Sequence, residues 1–269
     1  MTKRVWDTSR ERAEELLQEL KVDITHSEDR LYIRHPDIHN RASFRFADLF
    51  DSNGWRNSPS VEIDFDLTVP HQTHLKLEND EGDVDVTGVV GDLRVRTDEG
   101  NVFIAELKAK TLEVGIDEGD LVLKNSGASS DAFINVDEGE VRILDTHFGS
   151  LNTSSDEGDI VLKNVNLKNC DVRTDEGEIL WDASFAAEGY CKMQTEEGDI
   201  KLVLPPDIDA QFSLETREGR IHSDFPVSIR EDGDRGEEVE DVIGKGAVKI
   251  RANTERGDII LQKRFESSR

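Results

Sequence analysis

Carboxylates are the side chains in this sequence whose type and spacing could do chemistry. They recur in a short phrase, one copy of which is Thr97-Asp98-Glu99-Gly100-Asn101. Its glycine returns at Gly82, Gly100, Gly119, Gly139, Gly158, Gly177, Gly198, Gly219 and Gly257, with gaps of 18, 19, 20, 19, 19, 21, 21 and 38 residues. Counted from each glycine, position −2 holds Asp80, Asp98, Asp117, Asp137, Asp156, Asp175, Glu196, Arg217 and Glu255. Position −1 holds Glu81, Glu99, Glu118, Glu138, Glu157, Glu176, Glu197, Glu218 and Arg256, and position +1 holds Asp83, Asn101, Asp120, Glu140, Asp159, Glu178, Asp199, Arg220 and Asp258. These columns take 23 of the 59 acidic residues, so much of the net charge of −26 falls on one repeated feature.

Stacked carboxylates could bind Ca²⁺, which is held by several oxygen ligands. The candidate cation ladder is Asp98, Glu99, Asp117, Glu118, Asp120, Asp137, Glu138, Glu140, Asp156, Glu157, Asp159, Asp175, Glu176 and Glu178. The phrase differs from the glycine-rich calcium repeat of β-rolls, which carries a single aspartate. The same columns could instead be a solvated edge that keeps the molecule soluble and blocks sideways association. Adaptation to high salt and docking of a basic partner are further readings. If copies stack at ~4.8 Å, each like-charged pair repels by about 0.9 kcal/mol even at the dielectric of water. A nucleic-acid partner is excluded, because the phosphate backbone would be repelled.

The elements that position the phrase are legible on either side of it. Leu93, Val95 and Thr97 alternate before Gly100, and Val102 and Ile104 alternate after it. Leu112, Val114 and Ile116 do the same before Gly119, with Leu121 and Leu123 following. Period-two alternation predicts two short strands joined by a tight turn. The same residue type at the same offset predicts strands stacked on their equivalents in the next copy, a β-solenoid, because stacking puts like on like. A propeller blade needs roughly 40 residues, and these copies are half that. The fold class is therefore all-β, a single-stranded β-solenoid with rungs of about 19 residues. A one-rung-wide core also accounts for hydrophobic content as low as 35% beside 34% charged residues.

Residues 1–60 read as an N-terminal cap region. Its helix is expected over residues 8–20, with Thr8 and Glu11 as a capping box and Ala13, Leu16, Leu17 and Leu20 on one face. Val22 to Ile24 and Leu31 to Ile33 are expected to pair, and Phe44, Phe46, Phe50 and Trp55 to anchor a polar stretch onto the first rungs. The solenoid is expected over residues 61–263 and a frayed tail over 264–269. The copy due near residue 238 is replaced by Arg230-Glu231-Asp232-Gly233-Asp234-Arg235-Gly236-Glu237-Glu238, which predicts an extruded loop. Val248 and Ile250 should then rejoin the stack as its last rung, leaving an end open to self-association.

Cys170 and Cys191 share position −7 of consecutive copies. Two buried thiols are the simpler expectation, and a disulfide is permitted by the Cα range. Pro36 spoils any helical alignment of His35 with His39, and His71 and His74 are expected to be exposed. No phosphate loop, nucleophile elbow or zinc-protease motif occurs. No run approaches the ~20 apolar residues of a membrane span. No leader segment is legible at the start, which reads as a cytoplasmic chain or one that begins after a removed leader.

The repeated strand, Thr-x-x-Gly-Asp-Ile, strand phrase resembles the β-strand-repeat adhesin family, a bacterial domain of unknown function. So do the opening from Glu14 to His35, the strand from Val61 to Pro70, and the closing run of Asp224-Phe225-Pro226-Val227, Ile243-Gly244-Lys245-Gly246 and Thr254-Glu255-Arg256-Gly257-Asp258-Ile259. The resemblance implies a right-handed β-helix-like fold on exported or envelope-associated proteins, with no established activity. The acidic turns depart from it, since small polar residues are common there in that family. The expected function is a non-enzymatic, adhesin-like module whose acidic ladder binds cations or a basic protein or cell-surface partner. The alternative is a carbohydrate-active β-helix enzyme, which would need a groove of basic and aromatic residues.

Overall fold

In the computed structural model, residues 1–6, 10–19, 21–27, 30–34, 60–232 and 236–264 are described. The chain divides into two compact units, Met1–Val69 and Pro70–Arg269. In the first, Thr2–Trp6 pairs antiparallel with Ser60–Asp64, and Asp23–His26 pairs antiparallel with Leu31–Arg34. The helix runs Arg10–Glu19, with an i,i+4 ion pair from Arg10 to Glu14 at 2.8 Å. Thr8 of the expected capping box lies outside the described residues, as do Leu20, His35, His39 and the four aromatic anchors.

The second unit is the solenoid, and each of its rungs follows one plan. In the Gly100 rung, Leu93–Glu99 runs into the glycine turn, Val102–Ala105 follows, and the chain bends again at Glu106 (φ 55°). The next strand, Lys108–Glu118, then supplies the third side and the start of the following rung. Asn125, Asp145 and Asn164 repeat the Glu106 bend with φ of 49°, 50° and 55°. Asn and Asp tolerate this left-handed region because their short polar side chains bond locally. Successive rungs pair parallel and in register, Leu93 against Leu112 and Val102 against Leu121. The inward positions predicted by alternation are buried: Leu93, Val95, Thr97, Val102 and Ile104 in this rung, and their equivalents in the next.

At the turn the stack leaves no room for a side chain. A Cβ on Gly139 would lie 2.2 Å from the Gly119 carbonyl oxygen, and its φ of 145° already disfavours any other residue. Beneath the turn, buried hydroxyls at position −3 tie one rung to its neighbour. Thr174 donates to the carbonyl of Gly158 at 3.0 Å, and Thr195 to that of Gly177 at 3.1 Å.

From Gly82 to Gly198 the rungs stack in sequence order, and then the order changes. Val248–Arg256 pairs parallel with residues 189–197 on one side and with Ala210–Glu218 on the other. Ile259–Lys263 does the same between Ile200–Leu204 and Ile221–Ser223. The Gly257 rung, expected last, is therefore inserted beneath the Gly219 rung. Thr254 donates to the Gly198 carbonyl at 3.0 Å and Thr216 to the Gly257 carbonyl at 2.8 Å. The stretch expected to be an extruded loop is also corrected. Ile229–Asp232 and Gly236–Ile243 form an antiparallel hairpin, and Gly236–Ile243 lies antiparallel along Ala210–Glu218. A terminal strand needs apolar groups on one side only, and Val239, fully buried, supplies that side.

Cys170 and Cys191 are directly paired partners on adjacent rungs and close a disulfide, with Cα atoms 4.6 Å apart. The simpler expectation of two thiols is overturned, because in-register parallel stacking brings the two side chains face to face.

Candidate functional site

The carboxylate columns fall along the glycine-turn edge as the spacing requires. At position −1 the backbone pairing sets Glu99 on Glu118, Glu118 on Glu138, Glu138 on Glu157, Glu157 on Glu176 and Glu176 on Glu197. Their main chains are occupied, since the turn glycines from Gly82 to Gly177 each donate to the next rung's glutamate carbonyl, as Gly100 does to Glu118 at 2.9 Å. Their side chains are exposed, and none of Glu99, Glu118, Glu138, Glu157 and Glu176 makes an ion pair among the described residues. Asp98 and Asp156 are exposed beside them, and Asp117, Asp137 and Asp175 are half-buried.

Position +1 does something the sequence reading missed. Its short side chains accept the backbone N–H of the same position one rung on. Asp83 accepts from Asn101 at 2.9 Å, Asn101 from Asp120 at 3.0 Å, Asp120 from Glu140 at 2.9 Å and Asp159 from Glu178 at 2.8 Å. Asn101 serves as well as aspartate, so the column selects a carbonyl-type oxygen at short reach as much as it selects charge. The signal lay in that Asp/Asn alternation. Glu140 instead takes a bidentate grip from Arg142, at 2.5 Å for both bonds, and Arg173 holds Asp175 at 2.9 Å and reaches Glu196 at 3.6 Å. These contacts raise the pKa of both arginines, through the hydrogen bond to Glu140 and to Asp175 respectively.

The run of glutamates ends where the inserted rung arrives. Arg256 lies between Glu197 and Glu218 in the register and pairs with Glu197, and Arg217 reaches Glu255 at 2.9 Å. Among the described residues, no three His, Cys, Asp or Glu side chains converge on a point that could hold a metal ion. The columns run along an edge and do not close round a centre. His71 and His74 are exposed, their rings bonded to the Gly88 carbonyl at 2.7 Å and the Asp92 N–H at 3.0 Å. A surface depression of about 280 Å³ is lined by Phe185, Leu204, Pro205, Ile208 and Val248 with the carboxylate of Asp209. A second of about 350 Å³ lies between His222–Asp224 and Ile260–Gln262, and neither contains arginine or lysine.

A family model matches residues 64–262, nearly three-quarters of the chain. The chain belongs to the Toastrack DUF4097 family. That match takes in the glycine turns from Gly82 through that of the inserted Gly257 rung. No curated protein matches the chain, and no solved structure does. The Toastrack family is one of unknown function, so the adhesive character implied by the resemblance is not carried by the match. Among the described residues of this Toastrack protein, no helix is long and apolar enough to cross a membrane.

Proposed function

We propose that this Toastrack domain is a rigid, non-catalytic interaction module. Its working surface is the glycine-turn edge, which presents a carboxylate column to cations or to a basic partner on a protein or cell surface. The observation that carries this reading is the unbroken stack of solvent-facing glutamates from Glu99 to Glu176, set by backbone register. Their spacing of ~4.8 Å lies well inside the Debye length of ~8 Å at physiological salt, so neighbouring charges reinforce one another. The turns beneath them are held by hydrogen bonds on both flanks, so the ladder is pre-ordered and binding requires little rearrangement.

The carbohydrate-active alternative gains no support from these two depressions, whose linings hold no arginine or lysine. The deciding experiment is thermal unfolding of EDTA-stripped protein titrated with Ca²⁺ at constant ionic strength, with Mg²⁺ and NaCl as parallel arms. A rise in midpoint at low Ca²⁺ that neither control reproduces supports calcium-dependent interaction through the edge. A response matched by molar NaCl reduces the ladder to screened repulsion and overturns the cation reading.

A further inference from the structure

The inserted rung leaves the solenoid with a feature that a sequential stack would lack. Residues 248–263 fill a slot whose two walls are the 189–204 rung and the 210–223 rung. Both walls offer parallel backbone ladders and apolar inward faces, Met193, Ile200 and Leu202 below, Phe212, Leu214 and Ile221 above. Val248, Ile250, Ala252, Ile259 and Leu261, themselves buried, lie between these two faces. With that segment withdrawn, the edges of both walls would be left unpaired. Such edges are templates for pairing with another chain.

The strands that fill the slot are the last two among the described residues and are tethered by a short hinge. Residues 244–247 connect them to the capping hairpin, and both Gly244 (φ 72°) and Gly246 (φ 76°) sit in the left-handed region. The hinge is held closed chiefly by one side chain. Asp209 Oδ1 accepts the N–H groups of Lys245 at 2.6 Å, Gly246 at 2.6 Å and Ala247 at 3.2 Å. The contacts of the inserted strand are otherwise to segments far away in sequence.

We infer that residues 248–263 form an exchangeable strand, and that the slot is a strand-acceptor surface whose partner is the same segment of a second copy of this chain. The slot accepts an extended segment by main-chain bonding and by pockets for alternate side chains, the mode of strand addition. Register is set by the Thr254 hydroxyl, by Gly257 and by Asp258, whose N–H meets Asp199 Oδ1 at 2.7 Å. All of these belong to the segment itself, so a strand from another copy meets the same partners. Opening the four-residue hinge is then the step that separates a closed monomer from an exchanged pair. This inference does not depend on the proposed role of the acidic edge.

The test uses two full-length variants, Gln211→Cys and Lys249→Cys. These exposed positions are direct partners across the slot wall, so a disulfide between the variants reports one chain's strand in the other's slot. The two are unfolded together, refolded over a concentration series and oxidised after dilution. A strand on a short tether has an effective concentration on the order of millimolar. Refolding at about 10 µM should therefore give ~1% mixed crosslink, and about 100 µM roughly ten times more. Asp209→Ala should raise the yield several-fold by releasing the hinge. The double variant in one chain should close internally, which verifies the geometry. The inference is overturned if that internal disulfide forms while the mixed crosslink stays at the level of native copies mixed without unfolding. A yield that does not rise with concentration overturns it equally.

Discussion

Gly139 and Gly82 occupy the same place in the repeated phrase and face different constraints. At Gly139 a side chain meets the carbonyl oxygen of the rung below at 2.2 Å, whereas at Gly82 the nearest atom is the Asn79 side-chain nitrogen at 3.8 Å. Gly139→Ala should therefore cost about 3 kcal/mol or more, from strain plus the backbone shift it forces. Gly82→Ala should cost only the left-handed backbone penalty of about 1 kcal/mol. Chemical denaturation of the two variants compares them directly, and equal losses would mean that turn conformation alone explains the glycine column. Asp209 gives a prediction in pH. Hydrogen bonds from Ala247, Lys245 and Gly246 hold its carboxyl below the ordinary carboxylate range. A depressed folded-state pKa contributes stability above the unfolded value near 4, and that contribution disappears as pH falls through the folded value. The difference in unfolding midpoint between the parent and Asp209→Ala should be full at pH 6 and shrink as pH falls past the unfolded value and through the lower folded one. A constant difference across that range would show that the carboxylate charge is irrelevant.

Among the strands, the informative comparison is between the observed order of the last rungs and the order of the chain. Stacking in chain order would place Arg217 between Glu196 and Glu255 and Arg220 between Asp199 and Asp258, which satisfies more column charges than the order observed. The backbone points the other way. Asp199 accepts the Asp258 N–H at 2.7 Å, and Asp258 accepts the Arg220 N–H at 2.8 Å, whereas Arg220 has no oxygen to offer a rung above. Arg220 therefore suits the rung with no glycine turn stacked on it. The inserted strand is fastened at its far end by Arg264, which holds Asp182 through two bonds of 2.9 and 2.6 Å and the Ala183 carbonyl at 3.1 Å. The pair is roughly one-third exposed on either side, at 35% and 27%, which discounts its value to about 1–2 kcal/mol. Arg264→Ala should raise amide hydrogen exchange through residues 248–263 while leaving Leu93–Glu99 protected. Uniform loss of protection would instead make Arg264 a support of the whole solenoid.

The solenoid as a whole balances a continuous apolar column against a continuous line of negative charge. The two effects run along the same axis, since each rung that adds inward residues also adds carboxylates at its turn. Net charge of −26 keeps such a molecule soluble and repels sideways contacts, at some expense to the compact state. Removing one charge from the middle of the column, as in Glu138→Gln, should raise the unfolding midpoint at low salt and change little in molar NaCl. The same substitution should weaken any Ca²⁺-specific stabilisation, which separates a bound cation from general screening within one variant. The far end is closed by a hairpin whose outer strand, Ile229–Asp232, is short and charged, a strand poorly suited to edge-to-edge growth. The Gly257 rung, expected to be the open last one, is instead flanked by a rung on either side.

Much of this was legible in the residues alone, for a specific physical reason. Parallel stacking repeats one local environment, so Leu93, Val95, Val102 and Ile104 announce the same inward column as their counterparts a period later, and Gly100 announces the same turn. The placement of Glu99, Glu118 and Glu138 along one edge follows from that periodicity as well. Three features depended on which rung lies beside which, and only the tertiary structure decided them. The gap of 38 residues before Gly257 reads identically whether its rung is last or inserted. The pairing of Cys170 with Cys191 needed the facing of two side chains and not merely a shared offset. The division of the acidic columns, with Asp120 and Asp159 bracing the next turn and Glu118 and Glu157 left to solvent, rests on side-chain length measured against a backbone N–H. Those are non-local relations, and a repeat carries no local signal for them, because every rung is built to fit every other.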